Sequence, residues 1–243
     1  MGQTRIQLCG PLVARLSGER VESRLPGRQG RTLFAFLVLE RRRVATRDEV
    51  TAALWDGEPP AAADAALNAL LSKLRRVLQI EGRHEVRLTL PEDAWVDVEV
   101  ATEALHRAEG AAAREDWQAT WGPARVAQHV ATRTFLPEDA GGWASRRRDE
   151  LLRILVSSLE LAAAASLGIG GSELATAERS ARRLVELAPL RETGTRLLME
   201  ATIRRGNPAD ALVVYDRLRV ALRDALGVAP SAETQALHRR LLG

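Results

Sequence analysis

The chain has 243 residues, of which 46% are hydrophobic and only 4% aromatic, and its net charge is +3. That length favours two domains, and the apolar fraction is enough to build real cores. Runs of Ala and Leu with so few aromatics point to helices rather than a β-sandwich, and so small a net charge excludes a general polycation effect.

The charge is uneven. Residues 1–96 hold 15 Lys+Arg against 12 Asp+Glu, and residues 97–243 hold 20 of each. Lys73 is the only lysine, and it sits in LLSKLRR. A Walker A loop needs Gly-rich sequence before Lys-Ser/Thr, so a P-loop ATPase is excluded. Cys9 stands alone, which rules out a disulfide framework and a Cys-based zinc site and leaves a small strand residue. His84, His106, His129 and His238 are scattered without HExxH-type spacing. No cofactor or metal site is expected. The N-terminus lacks an h-region and there is no run of 18 apolar residues, so a soluble cytoplasmic protein without a membrane partner is expected.

Residues 4–25 read as short strands. Ile6 and Leu8 alternate with polar residues, as do Leu12, Ala14 and Leu16. Ser17-Gly18 marks a turn, and Val21 to Leu25 reads as a third strand. After Pro26-Gly27, Leu33, Phe34, Leu37 and Val38 form the apolar stripe of a helix over residues 30–40. Arg41, Arg42 and Arg43 follow at its end, where cations suit the helix dipole and can equally touch phosphate. Thr46 with Glu49 fits a capping box and opens a second helix over Arg47–Leu54, with Val50 and Leu54 inward and Trp55 closing the core.

A loop at residues 56–60 leads to a long helix, Ala61–Ile80. Leu67, Leu70, Leu71, Leu74, Val77 and Leu78 share one face at about 100° per residue. The opposite face carries Asn68, Ser72, Lys73, Arg75, Arg76 and Gln79, with no acid between Asp64 and Glu81. Guanidinium groups mixed with short amides and hydroxyls suit a helix lying in a DNA major groove. An ordinary solvated basic face has the same pattern. Glu85–Leu90 and Ala94–Val98 then read as a hairpin around Pro91-Glu92-Asp93. Strands, three helices and a hairpin make the order of a winged helix, in which the third helix reads DNA and the hairpin is the wing.

The remainder reads as all helix, over 100–113, 123–133, 145–167, 172–187, 191–205, 208–226 and 231–242. Ala177 and Ala211 lie 34 residues apart, as do Ala181 and Tyr215, and Leu184 and Leu218. With Pro189 at the expected offset, this is the period of a tetratricopeptide repeat, a helix–turn–helix unit. Stacked units make a curved surface suited to holding a protein or another domain.

The segment GRTLFAFLVLERRRVATRDEVTAALWDGEPPAAADAALNALLSKLRRVL resembles the winged-helix half of the Streptomyces antibiotic regulatory protein family. WASRRRDELLRILVSSLELAAAASLG and LRETGTRLLMEATIRRGNPADALVVYDRLRVALRDALGVAPSAETQAL resemble its bacterial transcriptional activator domain. Together these cover most of residues 23–240. The expected architecture is mainly α. A winged helix of response-regulator output type with small β-sheets spans residues 1–96, and an all-α tetratricopeptide-like activator domain spans 97–243.

The resemblance implies a DNA-binding transcriptional activator that binds double-stranded DNA at direct promoter repeats near the −35 region. It implies recruitment of RNA polymerase, pairing of two copies on DNA, and secondary-metabolite genes as targets. The family's SxLRR reader segment falls on Ser72, Lys73, Arg75 and Arg76, with Leu74 buried between them. Asn68 joins them on the same face. Arg41, Arg42, Arg43 and Arg47 are further DNA-contact candidates. The wing is expected to be short and acidic at its tip (Glu92, Asp93), which leaves Arg83 and Arg87 as its contact candidates. Leu70 stands where the family usually has a histidine, implying one polar backbone contact fewer. The segment WQATWGPARVAQHVA is less regular than usual, implying an incomplete first repeat. With no receiver, ATPase or phosphopeptide-binding domain in the sequence, the small stand-alone form is expected.

Two other functions compete. A protein-interaction scaffold would use the winged helix to dock protein, and Arg75-Arg76 beside Asn68 and Ser72 favours DNA over that. An enzyme would need a nucleophile, a base and an orienting group together. The carboxylates Glu138, Asp139, Asp149 and Glu150 lie instead in charge-mixed surroundings.

Overall fold

A computed structural model describes residues 3–242. It divides into two compact units, residues 1–101 with 130–152, and residues 102–129 with 153–243. These units do not follow a single cut between residues 96 and 97. The segment 130–152 belongs with the N-terminal unit, where Phe135 bridges to Cys9 and the Trp143 ring meets Phe36 and Phe135 edge-on at 5.7 and 5.6 Å.

The first unit begins with strands β1 (Arg5–Gln7), β2 (Val13–Leu16) and β3 (Glu19–Arg20). The expected third strand over Val21–Leu25 is replaced by a 3-10 turn at Glu22–Arg24. The Glu22 carboxylate accepts from the Ala14 amide there and turns the chain away from the sheet edge. Helix α1 (Gly27–Leu39) buries Leu33, Phe34, Leu37 and Val38, the four residues of its apolar stripe. Strand β4 (Ala45–Thr46) leads into α2 (Arg47–Trp55). The capping box is complete: the Glu49 amide donates to Thr46 Oγ1, and the Thr46 amide donates to Glu49 Oε2 at 2.8 Å. Val50 is buried, whereas Leu54 and Trp55 are only half-buried.

Helix α3 (Ala63–Arg75) is shorter than the expected span to Ile80. Leu67, Leu71 and Leu74 are buried on its inner face, with Leu78 in the turn that follows. Burying each such side chain contributes about 1.5–3 kcal/mol. The helix gives way because Ile80 enters strand β5 (Ile80–Glu81), which pairs antiparallel with β6 (Glu85–Leu88), Ile80 facing Leu88. Strand β6 also pairs with β4, closing a three-stranded sheet in the order β4-β6-β5.

The wing is therefore the β5–β6 hairpin rather than a pairing of residues 85–90 with 94–98. Gly82 makes its turn at a φ of +85°, and a Cβ there would lie 1.8 Å from the Glu85 carbonyl oxygen. Only glycine fits that position without moving the backbone. The tip is Gly82-Arg83-His84, not Glu92-Asp93. Trp95 and Val96 form β7, which pairs in parallel with β1, so the four-stranded sheet runs β3-β2-β1-β7. Asp97 follows at the head of α4 (Asp97–Ala112) and is fully buried. Its carboxylate accepts from the amides of Leu8 and Cys9, just past the end of β1, and from that of Val98 in its own helix, so these donors are satisfied. Burial pushes this carboxyl above its ordinary pKa against those bonds, and burial likewise pushes the Cys9 thiol up.

The second unit is helical. Helix α5 (Trp117–Ala131) starts six residues before the expected 123, because Asp116 caps it by accepting from the Ala119 amide at 3.0 Å. Helix α6 (Gly142–Ile169) has its residues up to Leu152 in the first unit and the rest in the second. By length and mean hydropathy α6 matches a membrane span, yet Leu151, Leu155, Leu159, Ala162, Ala163 and Leu167 are buried in protein. It is a core helix.

Helices α7 (Leu174–Leu187), α8 (Glu192–Arg204) and α9 (Pro208–Leu226) pack in succession, α8 against both neighbours. The three pairs spaced 34 apart are all buried. A Cβ on Gly194 would lie 2.9 Å from Leu184 Cγ, so a small residue sets how closely α7 and α8 approach. Helix α10 (Ala232–Leu242) follows. Glu192 anchors its start by accepting from the Ser231 amide and hydroxyl and from Thr234 Oγ1. His238 stacks on Tyr215 with centroids 3.9 Å apart.

Candidate nucleic-acid interface

The outer face of α3 carries Asn68, Ser72 and Lys73, with Arg75 at its last turn and Arg76 as its C-terminal cap residue, all exposed. Burial of Leu67, Leu71 and Leu74 fixes this orientation, because a helix that buries one stripe presents the opposite one. The sequence expectation for this face and the exposure of the side chains agree residue by residue.

Their bonding separates them into two sets. Arg75 Nε donates to the Ile80 carbonyl at 3.2 Å and its Nη2 to the Gly82 carbonyl at 2.5 Å. Arg75 thus clamps the wing to the end of α3. Ser72, Lys73 and Arg76 have no side-chain partner among the described residues. Arg47, at the first position of α2 and 21% exposed at its side chain, donates to Asp64 Oδ1, Asn68 Oδ1 and the Arg83 carbonyl at 3.3, 3.0 and 3.3 Å. One guanidinium therefore ties the start of α2, the face of α3 and the tip of the wing. The Arg83 side chain itself is exposed and without a partner among the described residues.

The arginine triplet after α1 divides in the same way. Arg41 is only 10% exposed at its side chain and pairs with Glu99. Arg43 pairs with Glu40 and Glu49 at 2.8 and 2.9 Å. The Arg43 hydrogen bond, followed by the Thr46 amide, pulls the Glu49 carboxyl down to about 2. Arg42 is 83% exposed and reaches Glu99 only at 3.5 Å, leaving most of its charge to solvent. Arg87 donates from Nε to the Arg41 carbonyl at 3.3 Å. Arg41, Arg42 and Arg87 line an open cleft of about 310 Å³ together with Leu88 to Glu92.

The structure thus brings Asn68, Ser72, Lys73, Arg76 and Arg83 together around α3 and the wing tip, held by Arg47 and Arg75. Arg42 and Arg87 lie at the cleft beside β6, and Arg41 and Arg43 are engaged in ion pairs. His84 is exposed beside Arg83 at the wing tip, a position that the sequence reading did not give it. The Gly82 turn puts it there.

A three-helix unit with a β-hairpin wing, followed by helical repeats, defines the class of winged-helix proteins that carry a helical-repeat part. Residues 96–242 match the family model of the bacterial transcriptional activator domain. The chain belongs to this family, and its type is that of the Streptomyces antibiotic regulatory proteins. It is 34% identical to Regulatory protein AfsR of Streptomyces coelicolor over 99% of its own length and 24% of that protein. It is 28% identical to Transcriptional regulatory protein EmbR of Mycobacterium tuberculosis over 97% of its own length and 62% of that protein. The chain therefore spans about a quarter of AfsR and under two thirds of EmbR. A solved structure of Mycobacterium tuberculosis EmbR in complex with a low affinity phosphopeptide superposes with a TM-score of 0.84 at 24% identity, covering all of this chain and 65% of that one. That likeness shows the fold.

Proposed function

We infer that the chain is a sequence-specific DNA-binding activator in which residues 1–96 read DNA and residues 97–243 form the activator domain. Helix α3 lies in the major groove, where Ser72, Lys73 and Arg76 meet base edges and phosphates. The wing presents Arg83 to the flanking backbone. The observation that carries this reading is the set of exposed polar side chains on α3 without a partner among the described residues, opposite the buried Leu67, Leu71 and Leu74. Base contacts specify sequence, and phosphate contacts such as those of Arg42 and Arg87 set register.

One α3 helix spans too few base pairs to select a promoter from a genome. Two copies therefore bind head-to-tail on direct repeats near the −35 region, each adding its own contacts. Half-sites about 10–11 base pairs apart, or a multiple, keep both on one face of the duplex. The helical repeats then contact RNA polymerase. The protein works in the cytoplasm, away from membranes, on secondary-metabolite genes. Inserting five base pairs between half-sites turns the second copy to the opposite face. Loss of cooperative binding and activation on that template is the expected result. Undiminished cooperativity and activation would instead favour a single-copy or protein-docking role.

A further inference from the structure

We propose that Arg47 is a specificity-positioning residue, which holds Asn68 with its amide NH2 outward and so makes Asn68 a hydrogen-bond donor to the base edge it faces. The inference rests on the reading of α3 as the DNA-contacting helix. An asparagine side chain can present either its oxygen or its nitrogen by a half-turn of the amide. Here Arg47 Nη2 donates to Asn68 Oδ1 at 3.0 Å. A guanidinium has only donors, so the opposite amide orientation would set donor against donor. Arg47 does not rotate freely either, because it also donates to Asp64 and to the Arg83 carbonyl. The group left to solvent on exposed Asn68 is Nδ2, with no partner among the described residues.

The consequence for recognition is specific. An unconstrained Asn pairs with adenine through two bonds, accepting from N6 and donating to N7. The bond from Arg47 occupies one of the acceptor positions that pairing draws on. A donor alone matches guanine O6 or N7 and thymine O4, keeps only the single N7 bond of adenine, and opposes the cytosine N4 amino group. Arg47 touches no base in this scheme and acts through Asn68.

Selection of bound sequences from a random duplex library, using the full chain, tests this. At one position the wild type should prefer guanine or thymine over cytosine by about fivefold or more. Asn68→Ala should flatten that position alone. Asn68→Asp keeps an acceptor for Arg47, so folding is preserved, and offers acceptors only. It should move the same position toward cytosine. Arg47→Ala should raise adenine there and leave the other positions as they were, whereas Arg47→Lys, which keeps a cationic donor, should retain the wild-type preference. A motif that Asn68→Ala and Asn68→Asp leave unchanged overturns this inference while leaving DNA reading by α3 intact. So does an Arg47→Ala variant that binds every sequence more weakly with an unaltered motif. A folded wild type that enriches no sequence overturns DNA reading itself, and this inference with it.

Discussion

Arg41 to Arg43 and Ser72 to Arg76 are both basic segments of the N-terminal unit, and they differ in what their charges already do. In the first, Arg41 and Arg43 are taken up by Glu99, Glu40 and Glu49, leaving Arg42. In the second, only Arg75 is engaged among the described residues, and its partners are backbone carbonyls, so its positive charge is not neutralised by an acid. The number of arginines therefore says little about binding. What counts is which guanidinium groups the fold leaves unpaired, and on which face.

This contrast is sharpest at Arg76, whose replacement by Ala should give the largest effect. If it grips a base, specific affinity falls by about 1–3 kcal/mol while random DNA is affected much less. Titration of both duplexes at one salt concentration checks this. Arg75→Ala should act differently. Losing two charge-assisted bonds to Ile80 and Gly82 loosens the wing, at a cost of about 1.5 kcal/mol in stability. Amide hydrogen exchange should then rise across residues 80–88 before any DNA is added.

Within the first segment the ion pairs themselves can be broken. The Arg43 and Thr46 bonds hold the Glu49 carboxyl at about 2, so its stabilisation is present above the ordinary carboxylate range and lost as pH falls toward 2. Glu49→Gln should lower the unfolding midpoint at pH 7, and the difference should vanish near pH 2. Thr46→Ala, which removes the cap without titrating, should cost about 1 kcal/mol. The smallest effect belongs to Arg42→Ala, which should reduce the salt slope of binding by about 1. Arg43→Ala should leave that slope nearly unchanged, because its charge is already neutralised within the protein.

Much of this was legible in the sequence wherever the interaction was local. Thr46 and Glu49 are three residues apart, and their capping box formed as spaced. The stripe through Leu67, Leu71 and Leu74 announced which face of α3 would be exposed, and the 34-residue period marked α7 and α9. What the sequence hid was non-local. Trp95-Val96 alternates like a returning hairpin strand, yet it pairs with β1, 90 positions earlier in the chain. The wing's turn lay at Gly82, two residues past the expected helix end at Ile80, where the sequence reads as a simple exit from the helix. Arg47 and Arg75 read as two more free cations, since only the folded geometry brings Asn68, Arg83, Ile80 and Gly82 to them. Phe135 and Trp143 belong to the first unit for the same reason: their partners Cys9 and Phe36 are over a hundred residues away.

The most direct test of DNA reading through α3 is the ratio of specific to random DNA affinity. It should be measured for the wild type, for Lys73→Ala with Arg76→Ala, and for Arg42→Ala, on one selected site and one scrambled duplex. The reading predicts that the double substitution drives the ratio toward one, while Arg42→Ala weakens both duplexes in parallel and preserves it. A ratio that survives the double substitution would contradict it.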